Sequence, residues 1–382
     1  MRLLVLGAGL QGCACAYDLL QNPAVTQVTL ADLRPDKLPP FLAKNKDWNG
    51  RLRTVRLNVS DAPSVRTAFQ HQAAVMSAIP YYYNAAMATA AVEAGSHFSD
   101  LGGNTEIVLE QKKLHQEAES KGISVIPDCG LAPGMVNILA AEGIRRLDHA
   151  DKVKIFVGGL PQKPEPPLNY QIVYSLEGAL DYYTTPSWVL RNGRPVQVDA
   201  LSEVESIDFP SPVGTLEAFH TGGGISTLPF AYQGKIDVME YKTLRYPGHA
   251  AVMRPIRELG LLANDPIEVK GSKVVPRDVF IAAVSPRLSK PEGRDLVALQ
   301  VQVTGKKKGK SQAVTFRLLD YYDSKHGISA MMRTTGYSLS ITGQMQVDGR
   351  VKAKGVHTPD EAVPFQDYVA ELGKRGIRIE EV

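Results

Sequence analysis

Gly7, Gly9 and Gly12 follow the apolar run Arg2 to Leu6 at the spacing GxGxxG. A carboxylate, Asp32, comes twenty residues after Gly12, where a second apolar run, Val25 to Ala31, ends. Residues of these types at this spacing suit the grip on a dinucleotide. Gly7 allows a tight turn, Gly9 lets the backbone approach a pyrophosphate, and Gly12 lets a helix pack closely on a strand. The helix that follows, Cys13 to Leu20, offers unpaired N–H groups and a partial positive charge at its start, where Leu10, Gln11 and Gly12 stand. Asp32 is placed to accept hydrogen bonds from the adenosine ribose hydroxyls and to repel a 2′-phosphate. Arg34, two residues later, partly offsets that repulsion, and the plain alternative for Asp32 is a turn cap. The pattern predicts a nicotinamide cofactor, with NAD ahead of NADP.

These residues must be held by a strand–helix alternation, and the sequence continues one. A third strand is read over Arg53 to Val59, which brings Asn58 toward the cofactor, and a helix over Pro63 to Phe69. A fourth strand over Ala73 to Ile79 runs into Pro80 and Tyr81. The backbone of Ala78, Ile79 and Pro80 is expected at the nicotinamide-side ribose, and Tyr81 either covers the nicotinamide or fills the cleft wall. Helices over Asn84 to Ala94 and Glu106 to Lys121 flank a strand over His97 to Asp100. A sixth strand, Ile123 to Pro127, opens into Asp128-Cys129-Gly130-Leu131-Ala132-Pro133-Gly134 before a helix over Met135 to Leu147. The carboxyl edge of such a sheet is where ligands bind, so the loop holding Asp128 and Gly130 is a prime site candidate.

From Lys152 the pattern changes. Strands are read over Val153 to Val157, Tyr170 to Tyr174, Pro195 to Val198, Leu216 to His220, Val238 to Arg245 and Leu296 to Val303. The fold class is therefore α/β: a Rossmann-type parallel sheet, a second α+β domain with a mixed open sheet, and a late helix over Ile328 to Met345 that returns to the first domain. Residues 1–135 and 328–382 are assigned to the dinucleotide-binding domain. Residues 136–327 are assigned to a domain for substrate binding and oligomerisation.

Composition removes several functions. A net charge of +3, from 43 basic and 40 acidic residues, leaves no one-signed surplus for holding nucleic acid. The basic run Lys306-Lys307-Lys308-Gly309-Lys310 reads as a solvated hairpin tip between two strand-like stretches. Three cysteines, Cys13, Cys15 and Cys129, form neither a disulfide framework nor a zinc pattern, and Cys129 has no adjacent base to make it a nucleophile. His97 with Asp100 lacks a third ligand at useful spacing, so no metal is expected. No apolar run reaches membrane-spanning length, and a cytoplasmic protein is expected.

GAGLQG, SAIPYYYN, DLGG, DCGLAPGMVN, YSLEGALDYYT, EAFHTGGG and YKTLRYPGHA occur in this order across nearly the whole chain, and together they resemble the saccharopine dehydrogenase family. Within it the resemblance is greatest to the branch that oxidises the terminal amine of L-lysine with NAD. That resemblance implies an imine that hydrolyses to 2-aminoadipate 6-semialdehyde and ammonia, the aldehyde then cyclising. It also implies that Arg245, in LRYPGH, binds the substrate carboxylate, which suits the two-pronged guanidinium. An amine gives up hydride only when neutral, so a proton acceptor is needed. His220, Asp128 and Glu177 are the catalytic candidates, with Glu177 alternatively a solvated helix-start carboxylate. Tyr81, Thr221, Lys242, His249 and Asp100 complete the expected substrate shell. His249 could equally cap the helix after Pro247, and Asp100 and Asp128 could serve only loop N–H groups. Rival readings are a dehydrogenase for saccharopine-like or carboxylated-polyamine secondary amines, and a non-catalytic NAD-binding regulator. A homodimer or higher homo-oligomer is expected through edge strands of the second domain.

Overall fold

The apolar runs of the first 130 residues are short and continuous, as strands buried on both faces must be. In the computed structural model, which describes residues 1–43 and 48–382, they form a parallel sheet. Its strands are β1 (Arg2–Leu6), β2 (Gln27–Asp32), β3 (Leu52–Arg56), β4 (Ala74–Ser77), β5 (His97–Asp100) and β6 (Ser124–Ile126), in the order β6-β5-β4-β1-β2-β3, with a seventh, two-residue strand from the end of the chain, Gly355–Val356, parallel to β6 at the edge. Leu3, Leu4, Val5 and Leu6 of β1 are wholly buried at its centre. The chain order reverses between β1 and β4, so the crevice above their carboxyl ends is a switch point where such sheets bind ligands. The glycine turn after β1 and the Pro80 turn after β4 flank that crevice.

The second sheet takes β7 (His149–Pro161), β8 (Ser187–Arg191), β9 (Arg194–Val198), β10 (Glu205–Phe209), β11 (Gly214–His220) and β12 (Val238–Arg245). A separate hairpin, β13 (Ile267–Val269) and β14 (Ser272–Val274), interrupts the series before β15 (Asp295–Lys307) and β16 (Lys310–Tyr321). Its main path is β10-β11-β12-β7-β15-β16, with β12 parallel to β7 and the other pairs on that path antiparallel. The lysine-rich run is the tip of the β15–β16 hairpin, where Lys307 faces Lys310.

Two expectations need correction, and one helix was not read from the sequence. The stretch Tyr170 to Tyr174 is not a strand: Ile172 donates its N–H to Leu288 O at a helix end rather than to a ladder, and Tyr170, Gln171 and Val173 are buried without a strand's alternation. The helix over Glu106 to Lys121 is two helices, Thr105–Lys112 and His115–Ser120, broken at Lys113 and Leu114 with no Gly or Pro to announce it. The helix Pro276–Leu288 was hidden in an apolar stretch without a cap signal.

The helix Ala330–Val347 joins the two sheets. Asp295 of β15 accepts from the N–H groups of Ala330 and Met331 at 2.8 and 2.9 Å, and the Gln346 amide at the far end donates to Phe98 O and Ser124 O of the first sheet. It lies against the first helix (Leu10–Gln21) so closely that a Cβ on Gly336 would sit 2.6 Å from Gln11 O and 2.7 Å from the Ala14 Cβ. Ser340 and Arg375 both bond the buried Asp18 of that first helix. Among the described residues no helix is long and apolar enough to cross a membrane.

Gly336→Leu should therefore destabilise the fold by about 1–3 kcal/mol through overpacking. Gly373→Ala, at a helical position with nothing within 4 Å of the added carbon, should raise stability by about 0.5–1 kcal/mol. Thermal unfolding of the two variants beside the parent checks both signs.

Candidate active site

Along β12 successive side chains point to opposite faces. Tyr241, Thr243 and Arg245 face the first sheet, where they line a cavity of about 200 Å³ together with Gln11, Leu101, Gly102, Gly130, Leu131, Met331 and Thr335. The cavity thus lies between the loops after β5 and β6, the start of the first helix, and the second sheet.

Arg245 is 3% exposed. Its Nε donates to the Tyr183 hydroxyl at 3.2 Å and its Nη1 to Leu244 O at 2.8 Å, and the guanidinium lies 4.9 Å from the Tyr170 ring centre. No carboxylate pairs with it among the described residues. A guanidinium stays charged at working pH, and a buried charge without a counter-ion is costly, so this group is ready for an anionic ligand.

Asp128 and Asp100 lie at the carboxyl end of the first sheet, buried behind the lining residues Gly102 and Gly130 rather than in the cavity wall itself. Asp128 adopts φ +62°, and Gly102 beside it has φ +63° and so little room that a Cβ would fall on the Asp128 carboxylate. The Asp128 Oδ1 accepts from Gly103 N at 3.1 Å, while its buried Oδ2 and the nearby Ser226 hydroxyl, which draws the same carboxyl's proton affinity down, are both without a formed hydrogen bond among the described residues. Asp100 accepts the Asp128 N–H at 3.2 Å on one oxygen and the Gln111 amide at 2.6 Å on the other. Burial first, and then the charge of Asp100, push the Asp128 carboxyl up to about 7. Burial pushes Asp100 up to about 6, against the pull of the Gln111 bond. An orphaned carboxylate oxygen on a group titrating near neutrality is the property a proton acceptor requires.

The glycine loop fits a dinucleotide. Gly7 has φ +93° and a Cβ there would lie 2.7 Å from Ala78 O; a Cβ on Gly12 would lie 1.8 Å from Gly7 O. At Gly9, by contrast, nothing lies within 4 Å, which leaves an open approach to the first N–H groups of the helix. Asp32, partly exposed at the end of β2, accepts from Ala8 N and Arg34 N, each at 2.8 Å, so it also fixes the loop. Leu10 is half exposed beside it, Gln11 and Gly130 line the cavity, and Ile79 and Pro80 continue the wall begun by Ala78. Asn58 is exposed, its carbonyl accepting from Ser60 N.

Other expected site residues lie elsewhere. His220 and Lys242 are on the opposite face of the second sheet from the cavity. The His220 ring bonds Tyr241 O and Glu203, and the Lys242 amine bonds Glu203 O and Glu205. The pleat turns His220, expected as a proton acceptor, and Lys242, expected in the substrate shell, away from the cavity. Glu203, His220 and Glu240 do approach one another, but Lys154, Arg191 and Lys242 already neutralise these carboxylates and Glu205. Glu177 is an exposed residue in the first turn of the helix Leu176–Thr184 and is not among the residues lining the cavity.

His249 is buried behind Arg245, its ring between the Tyr183 hydroxyl at 3.0 Å and Leu168 O at 3.1 Å. Burial and then the Arg245 charge push it down to about 3, so it positions Tyr183 as a neutral ring. The helix start that His249 could have capped is served instead by Glu217, which accepts from Gly248 N and Ala250 N. Thr221 bonds the Thr243 hydroxyl at 2.7 Å from behind the lining. Tyr81, 37% exposed on the turn Tyr81–Tyr83, does not line the cavity. Cys129 is buried with its thiol pushed well up, no nucleophile.

Sequence reading missed Tyr241, Thr243, Tyr174, Tyr182 and Thr335 as lining residues. One signal was available: with Arg245 assigned to the cleft, a strand must turn Thr243 and Tyr241 the same way and Lys242 the other.

A dinucleotide-binding sheet joined at its switch point to a second sheet that presents a buried cation defines a nicotinamide-dependent oxidoreductase. Residues 3–126 match the saccharopine dehydrogenase NADP binding domain and residues 130–377 the saccharopine dehydrogenase C-terminal domain, so the chain belongs to the saccharopine dehydrogenase family. It is 23% identical to saccharopine dehydrogenase [NADP(+), L-glutamate-forming] of Schizosaccharomyces pombe, over 99% of this chain and 98% of that one. It is 22% identical to carboxyaminopropylagmatine dehydrogenase of Synechocystis, over 100% and 97%. The structure of saccharopine dehydrogenase (L-Glu forming) from Saccharomyces cerevisiae shares the fold, with TM-score 0.80 and 21% identity over 100% of this chain and 99% of that one.

The Asp128 carboxyl, followed by its infrared stretch, should titrate near pH 7, and Asp100→Asn should lower that midpoint by removing the neighbouring charge. Because the folded value, about 7, lies above the usual 3.8, the fold holds this proton more tightly than the unfolded chain does. Its stabilising contribution is full at low pH and is lost as pH rises from about 4 to about 7. Asp128→Asn should therefore gain thermal stability relative to the parent as pH is raised through that window.

Proposed function

We propose that this oxidoreductase removes hydride from the carbon bearing the terminal amine of L-lysine, with NAD as acceptor, and releases 2-aminoadipate 6-semialdehyde and ammonia. The observation that carries this reading is Arg245: it is the one cationic side chain among the described residues that line the cavity. A substrate with one carboxylate matches one guanidinium, whereas saccharopine brings three carboxylates. A nicotinamide bound by the glycine loop supplies the hydride acceptor. Arg245, with Nη2 free of protein acceptors among the described residues, takes the α-carboxylate. Leu101, Leu131, Val157 and Met331 pack the methylene chain and exclude water. Asp128 takes a proton from the terminal ammonium, which frees the nitrogen lone pair to form the C=N bond as hydride leaves. Water then adds to the imine carbon, ammonia departs, and the aldehyde closes on the α-amine to give piperideine-6-carboxylate.

The names of the two relatives favour a second reading, a dehydrogenase of secondary amines that join two arms. For the cofactor, Asp32 supports NAD, while the name of the matching nucleotide domain and the exposed Arg34 support NADP.

Purified protein with L-lysine and NAD should generate NADH absorbance; turnover of saccharopine or a carboxylated polyamine, with none of lysine, sinks the lysine reading. Arg245→Ala should raise KM for lysine by about 10- to 150-fold, from loss of a charged hydrogen bond worth about 1.5–3 kcal/mol, and Arg245→Lys should recover part of it. Asp128→Asn should lower kcat by about 10²–10⁴, and the rise of rate with pH near 7 should vanish with it. On the Asp32 reading kcat/KM favours NAD over NADP, and Asp32→Ser narrows the gap; a preference for NADP in the parent overturns it.

A further inference from the structure

Three glycines in succession, Gly222 to Gly224, follow β11 and lead to Ser226. Little room is left around them. A Cβ on Gly222 would lie 2.9 Å from the Thr185 Cβ, one on Gly223 would lie 2.8 Å from Gly103 O and 2.9 Å from Tyr182 Cε1, and one on Gly224 would fall on the Tyr241 ring. The run therefore lets a loop of the second sheet come backbone to backbone against the Gly102-Gly103 turn of the first. Asn137 fastens that loop from the other side, its amide donating to Ile225 O at 3.3 Å and its carbonyl oxygen accepting from Gly134 N at 3.1 Å.

Ser226 is what this approach delivers. It is 3% exposed, its backbone is left-handed at φ +47°, and its hydroxyl has no hydrogen-bond partner among the described residues. Left-handed backbone favours glycine, and a buried hydroxyl without a partner is costly, so packing alone does not call for serine at this position. Asp128 shares all three properties: it is 1% exposed, has φ +62° and keeps Oδ2 without a partner. Two strained residues, each with an unused polar atom, thus meet where the two glycine turns meet, and such outliers gather where geometry serves function.

We propose that Ser226 is a positioning residue for Asp128, its hydroxyl closing on Oδ2 and holding that carboxylate in place to receive a proton. The assignment rests on the reading of Asp128 as the proton acceptor. A hydroxyl suits both states of the carboxyl: it donates to Oδ2 while Asp128 is ionised, and accepts from Oδ2 once Asp128 carries the proton there. The other groups around Asp128 act differently. Charge on Asp100 and Asp360 raises its proton affinity, whereas Tyr182 and Cys129, both pushed up by burial, stay neutral. Ser226 and the Gly103 N–H favour the ionised form, and so hold the group near neutrality against the effect of burial.

The test follows the Asp128 carboxyl stretch in the infrared as pH is varied, in the full chain and without substrate. Ser226→Ala should raise the midpoint by about one pH unit, the effect of one hydrogen bond to the charged form. Ser226→Gly should raise it equally while melting above Ser226→Ala, because glycine accepts the left-handed backbone. With substrate and cofactor, the rise of rate with pH should move up by the same amount in both variants. A midpoint that stays or falls in Ser226→Gly overturns the proposal. A midpoint that moves as expected in a protein that leaves L-lysine unoxidised supports the Ser226 assignment and refutes the lysine reading alone.

Discussion

Arg245 carries its charge into the interior with a hydroxyl, a carbonyl and an aromatic face around it and no carboxylate paired with it among the described residues, its cross-strand neighbour Glu217 being held by Gly248 N and Ala250 N. Removing one partner of a buried ion pair ordinarily costs several kcal/mol, about 3–5 by general measure, and here the fold is built without that partner. Much of the second domain exists to make this tolerable. His249 holds the Tyr183 hydroxyl against the guanidinium, Glu217 caps the helix that carries His249, and Tyr170 forgoes a strand position to place its ring under the charge. A free amino acid supplies the missing carboxylate, so binding energy arises from a deficit present before the ligand arrives.

The opposite pole obeys the same logic with the sign reversed. Two carboxyl groups are buried side by side, Asp100 accepting the Asp128 N–H and Asp128 accepting the Gly103 N–H, and neither pairs with a cation among the described residues. Such a pair resists holding two negative charges, and its protons come off as a coupled set rather than residue by residue. Asp128 is bent into a left-handed conformation that only the absence of a side chain at Gly102 permits. Strain, burial and like charge thus converge on one carboxylate oxygen.

Much of this was legible in the residues. The glycine turn, the carboxylate twenty residues on and the alternation of strand and helix state the first domain almost outright, because local backbone needs dictate residue type there. Arg245 and Asp128 were also singled out there as candidates, each from the loop or strand end that carries it. His220 and Lys242 misled because a titrating side chain on a strand looks the same in sequence whichever way the pleat turns it; only the position of a neighbour of known orientation decides. The tyrosine shell was obscure for a different reason. Tyr170, Tyr174, Tyr182 and Tyr183 come from a loop and a short helix whose places are set by packing against Arg245 and β12, a long-range matter that no local pattern encodes. Glu177 and the false strand at Tyr170 fail on the same ground.

The helix Ala330–Val347 runs about 27 Å, at 1.5 Å per residue, and is pinned in the second sheet by Asp295 and in the first by Gln346. Met331 and Thr335 on its first turns are themselves part of the cavity wall. A spine fastened at both ends, with its flank in the cleft, couples the two sheets: a hinge motion between them must either carry this helix along or break its hydrogen bonds at one end, and either course moves the Met331 and Thr335 that wall the cavity.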